Sequence, residues 1–215
     1  MKSLKFNNNE FFIYNNDLPD NLKFGNSIAI DTETTGLSLL RDRLCLVQIS
    51  SGNGECHIVK FDTNFKKHHS PNLISLLERE DLEKIFHFGR FDIAILKKFL
   101  SINCKKIFCT KIASRLVRTY TDKHGLREIC KELLDIDLNK SQQSSDWSNK
   151  ELTTNQIKYA ASDVLYLSKL KDILTEMLKR EKRYKIALKT FEFLDIRTDL
   201  DLMGWDKEDI FSHST

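Results

Sequence analysis

The sequence contains little glycine, proline or cysteine and no long apolar run. Its 215 residues include 7 glycines and 2 prolines, while 40% are hydrophobic and 30% are charged, which argues against a disordered chain. The 5 cysteines are an odd number without a C-x-x-C spacing, so neither a disulfide framework nor a structural zinc site is indicated. No apolar run approaches the ~18 residues of a membrane span, and the start MKSLKFNNNEFF lacks the apolar core of a signal peptide. These absences predict a soluble protein of the reducing cytoplasm.

Charge is nearly balanced over the whole chain but uneven along it. The formal net charge is +3 and the pI is about 8.5, so the overall balance indicates partners only weakly. Lysine and arginine are grouped at Lys66-Lys67, Lys97-Lys98, Lys105-Lys106 and from Lys179 to Lys185. Such basic groups are common on solvated helix faces, and they are also what a surface that follows a phosphate backbone requires. The sequence leaves both interpretations open.

Apolar periodicity predicts one α/β domain over residues 1–196 and a C-terminal tail over 197–215. Strands are predicted at 11–14, in a run that ends at residue 31, at 44–50, 57–61 and 85–87, and briefly near 107. Short connections predict an antiparallel meander for the strands between 28 and 61. Helices are predicted from Pro71, after Gly89, at 110–119 with Thr110 as N-cap, at 126–134, from 153 or 154 to about 178 as one long helix, and at about 181–196.

The stretch IAIDTETTGL, residues 28–37, places two acidic residues on a predicted buried strand. Side chains on a strand alternate between its faces, so Asp31 and Glu33 share one face. Two such close carboxylates repel each other, and a hard divalent cation is the simplest compensation. The alternative for an isolated D-x-E pattern is an acidic strand end followed by a turn through Thr34, Thr35 and Gly36.

Two further acidic residues are predicted on helices. Asp92 falls in the first turn of one helix, where an acid also stabilises the helix dipole. Tyr159 and Asp163 are four positions apart on another helix, a spacing that also suits a local hydrogen-bonded pair. Combined with Asp31 and Glu33, these acids could hold two divalent cations roughly 4 Å apart for phosphodiester hydrolysis. Tyr159 would then lie within reach of the attacking water.

Three segments carry a family resemblance. DTETTGL (31–37), HFGRFDIAIL (87–96) and YAASDVLYL (159–167) resemble the motifs of the 3′-to-5′ exonucleases whose acidic residues read D-E-D-D, in the subgroup whose third motif begins with Tyr. DRLCLVQIS (42–50) and HGLREICKELLDIDLNKSQQSSDW (124–147) narrow the resemblance to ribonuclease D. The match covers about residues 10–195.

The resemblance implies a ribonuclease-H-like α/β fold with a central mixed sheet, and two divalent cations, Mg²⁺ or Mn²⁺, as cofactors. Asp31, Glu33 and Asp163 would hold one cation, and Asp31 would also hold the second, with Asp92 contributing directly or through water. Tyr159 would orient the attacking water. Three substrate contacts are implied as well, at Thr34, Leu37 and His87.

The sequence departs from the family at two places. Many relatives have Asn after the motif His, where this chain has Phe88-Gly89. Longer ribonuclease D proteins continue into helical nucleic-acid-binding domains, for which the residues beyond 196 are too few. The expected function is a 3′-to-5′ exoribonuclease that acts on free 3′ ends, such as those of tRNA precursors. The alternatives are a DNA exonuclease of repair or proofreading, and a silent nucleic-acid-binding protein, which the presence of all the acids and Tyr159 disfavours.

Overall fold

A computed structural model describes residues 2–6, 8–66, 69–139 and 141–213, and within them seven strands form one sheet. The strands are β1 Lys2–Phe6, β2 Asn9–Asn15, β3 Ser27–Thr34, β4 Leu44–Ser50, β5 Glu55–Lys60, β6 Glu83–Phe86 and β7 Ile107–Cys109. The helices are α1 Pro71–Glu78, α2 Arg90–Leu100, α3 Thr110–Val117, α4 Leu126–Leu134, α5 Thr154–Leu165, α6 Leu167–Arg180 and α7 Tyr184–Leu200. None of these helices is long and apolar enough to cross a membrane.

The sheet is mixed and has the order β1-β2-β5-β4-β3-β6-β7. The predicted meander is confirmed, because β4 pairs antiparallel with both β3 and β5. On either side of the meander, β2 pairs parallel with β5 and β6 pairs parallel with β3. Every residue of β4 is buried, as its near-continuous apolar sequence LCLVQIS leads one to expect for a central strand. This rigid centre is what positions the acidic residues of β3.

Strand β1 was not predicted from the sequence. KSLKF is mostly exposed and pairs with β2 at the edge of the sheet. An edge strand that buries little surface carries a weak apolar pattern, so periodicity did not reveal it.

The prediction of one long helix after Thr153 is wrong. The helix is interrupted at Tyr166, where φ is −105° and ψ is −6°, and this residue separates α5 from α6. α5 packs against β3, β4 and β5, whereas α6 packs mainly against α3 and α4. The two halves therefore bury their apolar faces on different partners, although the periodicity continues through the break. The predicted start is confirmed, since Thr153 and Gln156 form a capping box.

The prediction of Thr110 as an N-cap is also wrong. Thr110 is the first residue of α3, and Cys109 occupies the cap position without a side-chain hydrogen bond. The Thr110 hydroxyl instead donates to the carbonyl of Phe86 at 3.1 Å. This hydrogen bond fixes α3 to the end of β6.

Helix α7 continues across the predicted domain boundary at residue 196, and a π-helical turn, Asp201–Trp205, follows it. Asp201 is buried and accepts two hydrogen bonds from Arg90 at 2.6 and 2.7 Å. It also lies 2.8 Å from the Arg197 guanidinium. The start of the tail is thus joined to α2, while the boundary itself stays a prediction.

Several of the predicted basic groups contact the rest of the fold. Lys97 lies 2.6 Å from the Asp195 carboxylate, and Lys105 lies 3.3 Å from it. Lys98 donates to the carbonyl of Leu39 at 2.6 Å. Much of this positive charge therefore joins elements of the fold, which favours a structural role for these groups. Lys67, part of another group, lies outside the described residues.

Candidate metal centre

Three carboxylates meet at the centre of the sheet. Asp31 and Glu33 lie on the same face of β3, and Asp163 reaches them from α5, which packs over β3. One oxygen from each lies within 4.8 Å of the others, and all three residues are half-buried. Strand β3 continues through both acids to Thr34, so they belong to the strand itself rather than to a turn after it. The structure therefore favours the cation interpretation of the D-x-E pattern over the turn interpretation.

The electrostatics of the cluster favour a bound cation. Burial, followed by the negative charges of Asp163 and Asp92, raises the pKa of Glu33 to about 9. Burial and the neighbouring acids also raise the pKa of Asp31 well above its usual range. The negative charges are therefore costly in the absence of a positive group. The donors are all carboxylate oxygens, a set that fits a hard cation such as Mg²⁺ or Mn²⁺.

Asp92 lies beside this group rather than within it. It is buried in the first turn of α2, and its Oδ1 accepts a hydrogen bond of 2.6 Å from Thr32 Oγ1. Since Thr32 lies between Asp31 and Glu33 on β3, its side chain points to the opposite face of the sheet. Burial raises the pKa of Asp92 to about 7, although the hydrogen bond from Thr32 acts against this rise. Asp92 is close enough to raise the pKa of Asp31.

Tyr159 lies one helical turn before Asp163 on α5. Burial raises the pKa of Tyr159, and the charges of Asp163 and Glu33 raise it further. The phenol therefore stays protonated and can act as a hydrogen-bonding group, not as a base. Its ring lies 5.9 Å from that of Trp147, centroid to centroid. Trp147 is buried. In the sequence, the only sign of this was that Trp147 is the one large apolar residue of a polar loop.

A cleft of about 320 Å³ opens beside the cluster. His87 is half-buried in its wall, and its Nδ1 lies 2.9 Å from Thr110 Oγ1. Because the Thr110 hydroxyl donates to Phe86, it accepts from His87, which fixes the proton on Nδ1. The lining includes Asp31, Asp163, Tyr159, His87, Phe88, Lys111 and Arg127.

Phe88 takes the position for which the family resemblance implied Asn. Its backbone is left-handed, with φ 67°, and its side chain is 45% exposed in the cleft wall. Lys111 Nζ lies 4.5 Å from the centre of the Phe88 ring. An aromatic ring and a cation thus stand where the family resemblance implied an amide, and motif comparison gave no sign of Lys111.

Thr34 and Leu37 lie apart from the residues that line this cleft. Thr34 Oγ1 donates to the carbonyl of Gly36 at 2.5 Å, which closes the turn after β3. Leu37 is 86% exposed at the end of that turn. Their assignment as substrate contacts stays a prediction.

Comparison with known proteins decides the family. A family model described as 3′-5′ exonuclease matches residues 15–179. The chain belongs to the 3′-5′ exonuclease family. Ribonuclease D of Gluconacetobacter diazotrophicus is 31% identical over 156 residues, which are 73% of this exonuclease and 39% of that protein. DNA polymerase I of Aquifex aeolicus is 30% identical over 190 residues, 82% of this exonuclease and 29% of that protein. The exonuclease thus spans two fifths or less of these curated relatives.

Solved structures are similar over nearly the full length of the exonuclease. Brucella melitensis NrnC bound to pGG is 51% identical with a TM-score of 0.90, over 95% of this chain and 98% of that one. The same protein with bound Mg²⁺ is 50% identical with a TM-score of 0.89, and the match covers 95% of this chain and 99% of that one. Escherichia coli RNase D shares the fold, with 23% identity and a TM-score of 0.68. That match covers 80% of this chain and 45% of the RNase D chain. The predicted ribonuclease-H-like fold, exonuclease class and divalent-cation cofactors are confirmed.

Proposed function

We propose that this exonuclease hydrolyses RNA from a free 3′ end and releases nucleoside 5′-monophosphates. The observation that carries the proposal is the convergence of Asp31, Glu33 and Asp163 beside Tyr159 at the cleft. The curated ribonuclease D relatives support RNA as the substrate. A DNA substrate remains the alternative, favoured by the DNA polymerase I relative.

Each residue of the site has a part in the proposed reaction. Divalent cations held by Asp31, Glu33 and Asp163, with Asp92 at a second position, would lower the pKa of the attacking water and offset charge on the leaving oxygen. The protonated hydroxyl of Tyr159 hydrogen-bonds that water and directs it at the phosphorus. Thr32 holds the Asp92 carboxylate in place from the other face of β3.

The cleft provides contacts for a short substrate. Lys111 offers positive charge to phosphate oxygens, and Phe88 and His87 present rings to a base. Arg127 also lines the cleft, with its guanidinium 2.8 Å from the Asp137 carboxylate. The cleft volume of about 320 Å³ lies at the small end of ligand sites, which span about 300–1,000 Å³. NrnC, half-identical to this chain, is described with bound pGG. We therefore infer that very short RNA, including 5′-phosphorylated dinucleotides, is a substrate class.

Precursor tRNA is the second candidate substrate, and the ribonuclease D relatives favour it. In either case the free 3′ end would be recognised through Thr34, Leu37 and His87, as the family resemblance implies. We also place the enzyme in the cytoplasm, because its 5 cysteines are free and buried, as in reducing compartments. Cell fractionation tests this location.

A single set of digestions tests the proposed function. Purified enzyme is incubated with pGG, a 3′-extended tRNA and DNA copies of each, in Mg²⁺, in Mn²⁺ and in excess chelator. We expect metal-dependent loss of one nucleotide at a time from the 3′ end of RNA, and the fastest turnover on pGG. Faster turnover of tRNA would reverse the order of the two RNA substrates. Cleavage of DNA but not RNA, or full activity in chelator, would overturn the proposal.

A further inference from the structure

Gln48 is a buried amide whose hydrogen-bonding groups lack partners among the described residues. It lies in the middle of β4 with no exposed surface. Within the described part of the chain, neither its Nε2 nor its Oε1 has a hydrogen-bond partner. A buried amide in this state is costly, and an apolar side chain would fill the position without that cost. The sequence nevertheless places Gln between Val47 and Ile49.

The position of Gln48 relates it to the acidic cluster. It is the register partner of Asp31 in the antiparallel pair of β4 and β3. Residues directly opposite in such a pair point to the same face, with their Cβ atoms about 4.5–5.5 Å apart. That face is covered by α5, the helix that brings Asp163 to the cluster. The amide of Gln48 is therefore within reach of the Asp31 carboxylate.

Other buried polar side chains on these elements do have protein partners. Ser50, two residues along β4, donates to the carbonyl of Glu55 at 2.6 Å. Gln156 on α5 donates to the carbonyl of Asp146 at 3.1 Å. Trp147 Nε1 and Ser168 Oγ also lack partners in the part of the chain that the structure describes, but neither residue is opposite a proposed cation ligand. Gln48 thus combines unsatisfied polar atoms with a place beside the metal centre.

We propose that Gln48 is a positioning residue for the metal centre: its amide N–H donates to the Asp31 carboxylate when that carboxylate is ionised and holds a cation. The inference rests on the proposed role of Asp31 as a ligand. Carboxylates that bind metals need hydrogen bonds that orient their free oxygen, and removal of such a partner typically weakens metal binding about 10- to 100-fold. An amide suits this task because it donates without adding charge. A lysine would compete with the cation, and an acid would increase the repulsion already present.

The test is the variant Gln48→Met, which keeps the length of the side chain and removes its polar atoms. Calorimetric titration with Mn²⁺ and with Mg²⁺ should show a dissociation constant raised about 10- to 100-fold. The melting temperature in chelator should be equal to or above that of the parent, because the unsatisfied amide is gone. Gln48→Leu is measured in parallel as a second apolar replacement.

The matched control is Gln156→Met, the same change at a glutamine whose partners are present. It removes the capping box of α5, so its melting temperature in chelator should fall while Mn²⁺ affinity stays unchanged within error. Unchanged affinity in both Gln48 variants overturns the inference, and so does weaker affinity accompanied by a lower metal-free melting temperature. A parent that binds neither cation, or an Asp31→Asn variant that binds as the parent does, instead refutes the proposed metal centre.

Discussion

Thr32 donates a hydrogen bond of 2.6 Å to Asp92, and this contact joins the central strand β3 to the first turn of α2. Both residues are buried. The second motif, residues 87–96, therefore does not bring Asp92 to the site alone. Its carboxylate is held by the strand that carries Asp31 and Glu33, so β3 positions Asp92 as well as its own two acids.

Removal of the Thr32 hydroxyl should destabilise the fold. Thr32→Val keeps the β-branched shape but leaves the Asp92 oxygen without its donor. At pH 8, above the raised Asp92 pKa of about 7, the carboxylate is charged, and hydrogen bonds to charged groups contribute about 1.5–3 kcal/mol. We expect a loss of that size in the free energy of unfolding, measured in urea, with reduced nuclease activity. Thr32→Ser keeps the hydroxyl and should lose less on both counts. Equal stability of Thr32→Val and the parent would contradict the role assigned to this contact.

Metal binding should stabilise the folded enzyme. The cation relieves repulsion among Asp31, Glu33 and Asp163, and a ligand at 100 times its dissociation constant adds about 2.7 kcal/mol of stability. The melting temperature should therefore rise with Mg²⁺ or Mn²⁺ and return on addition of chelator. Asp31→Asn should abolish both the rise and the activity. Asp135→Asn changes an exposed acid and is the control expected to behave like the parent.

Tyr159→Phe should slow the chemical step without weakening substrate binding. The hydroxyl orients the attacking water in this mechanism, and such contributions are worth about 10² to 10⁴ in rate. Single-turnover cleavage of pGG at saturating Mg²⁺ measures the rate, and binding in Ca²⁺ measures the affinity. Tyr120→Phe, at an exposed tyrosine, is the control. A parental rate for Tyr159→Phe would mean that the ring serves only to pack against Trp147.

The contribution of His57 to stability should decrease as the pH falls below about 6.5, the usual pKa of histidine, whereas the raised pKa values of Glu33 and Asp92 act in the opposite direction in the metal-free protein. Burial lowers the pKa of His57, and the nearby Glu55 only partly opposes this effect. Between the folded and unfolded pKa values the unfolded chain binds more protons, so acid favours unfolding. Urea titrations from pH 8 to about pH 5 measure the free energy of unfolding, and acidification should favour the fold of His57→Phe relative to that of the parent. His213→Phe, at an exposed histidine, should behave like the parent.

Local patterns revealed most of the fold because they report burial within one element. Strand β4 begins and ends at its predicted limits, and helix α2 begins after Gly89 as predicted, since each carries a strong apolar pattern. The contacts of Thr32 with Asp92 and of Trp147 with Tyr159 join residues far apart in the chain, which no local pattern encodes. The acids of the site were predictable from motif spacing, whereas the position of Gln48 opposite Asp31 follows only from the strand register.

The turn between β6 and α2 restricts which residues its positions can accommodate. A Cβ on Gly89 would lie 2.7 Å from Cβ of Phe86, so that position has little freedom to vary. At Phe88 the left-handed backbone suits Asn or Gly, and a bulky residue adopts it at a cost of about 1–3 kcal/mol. Phe88 therefore carries a backbone cost that Asn or Gly would avoid, at a position where its ring lines the cleft beside Lys111.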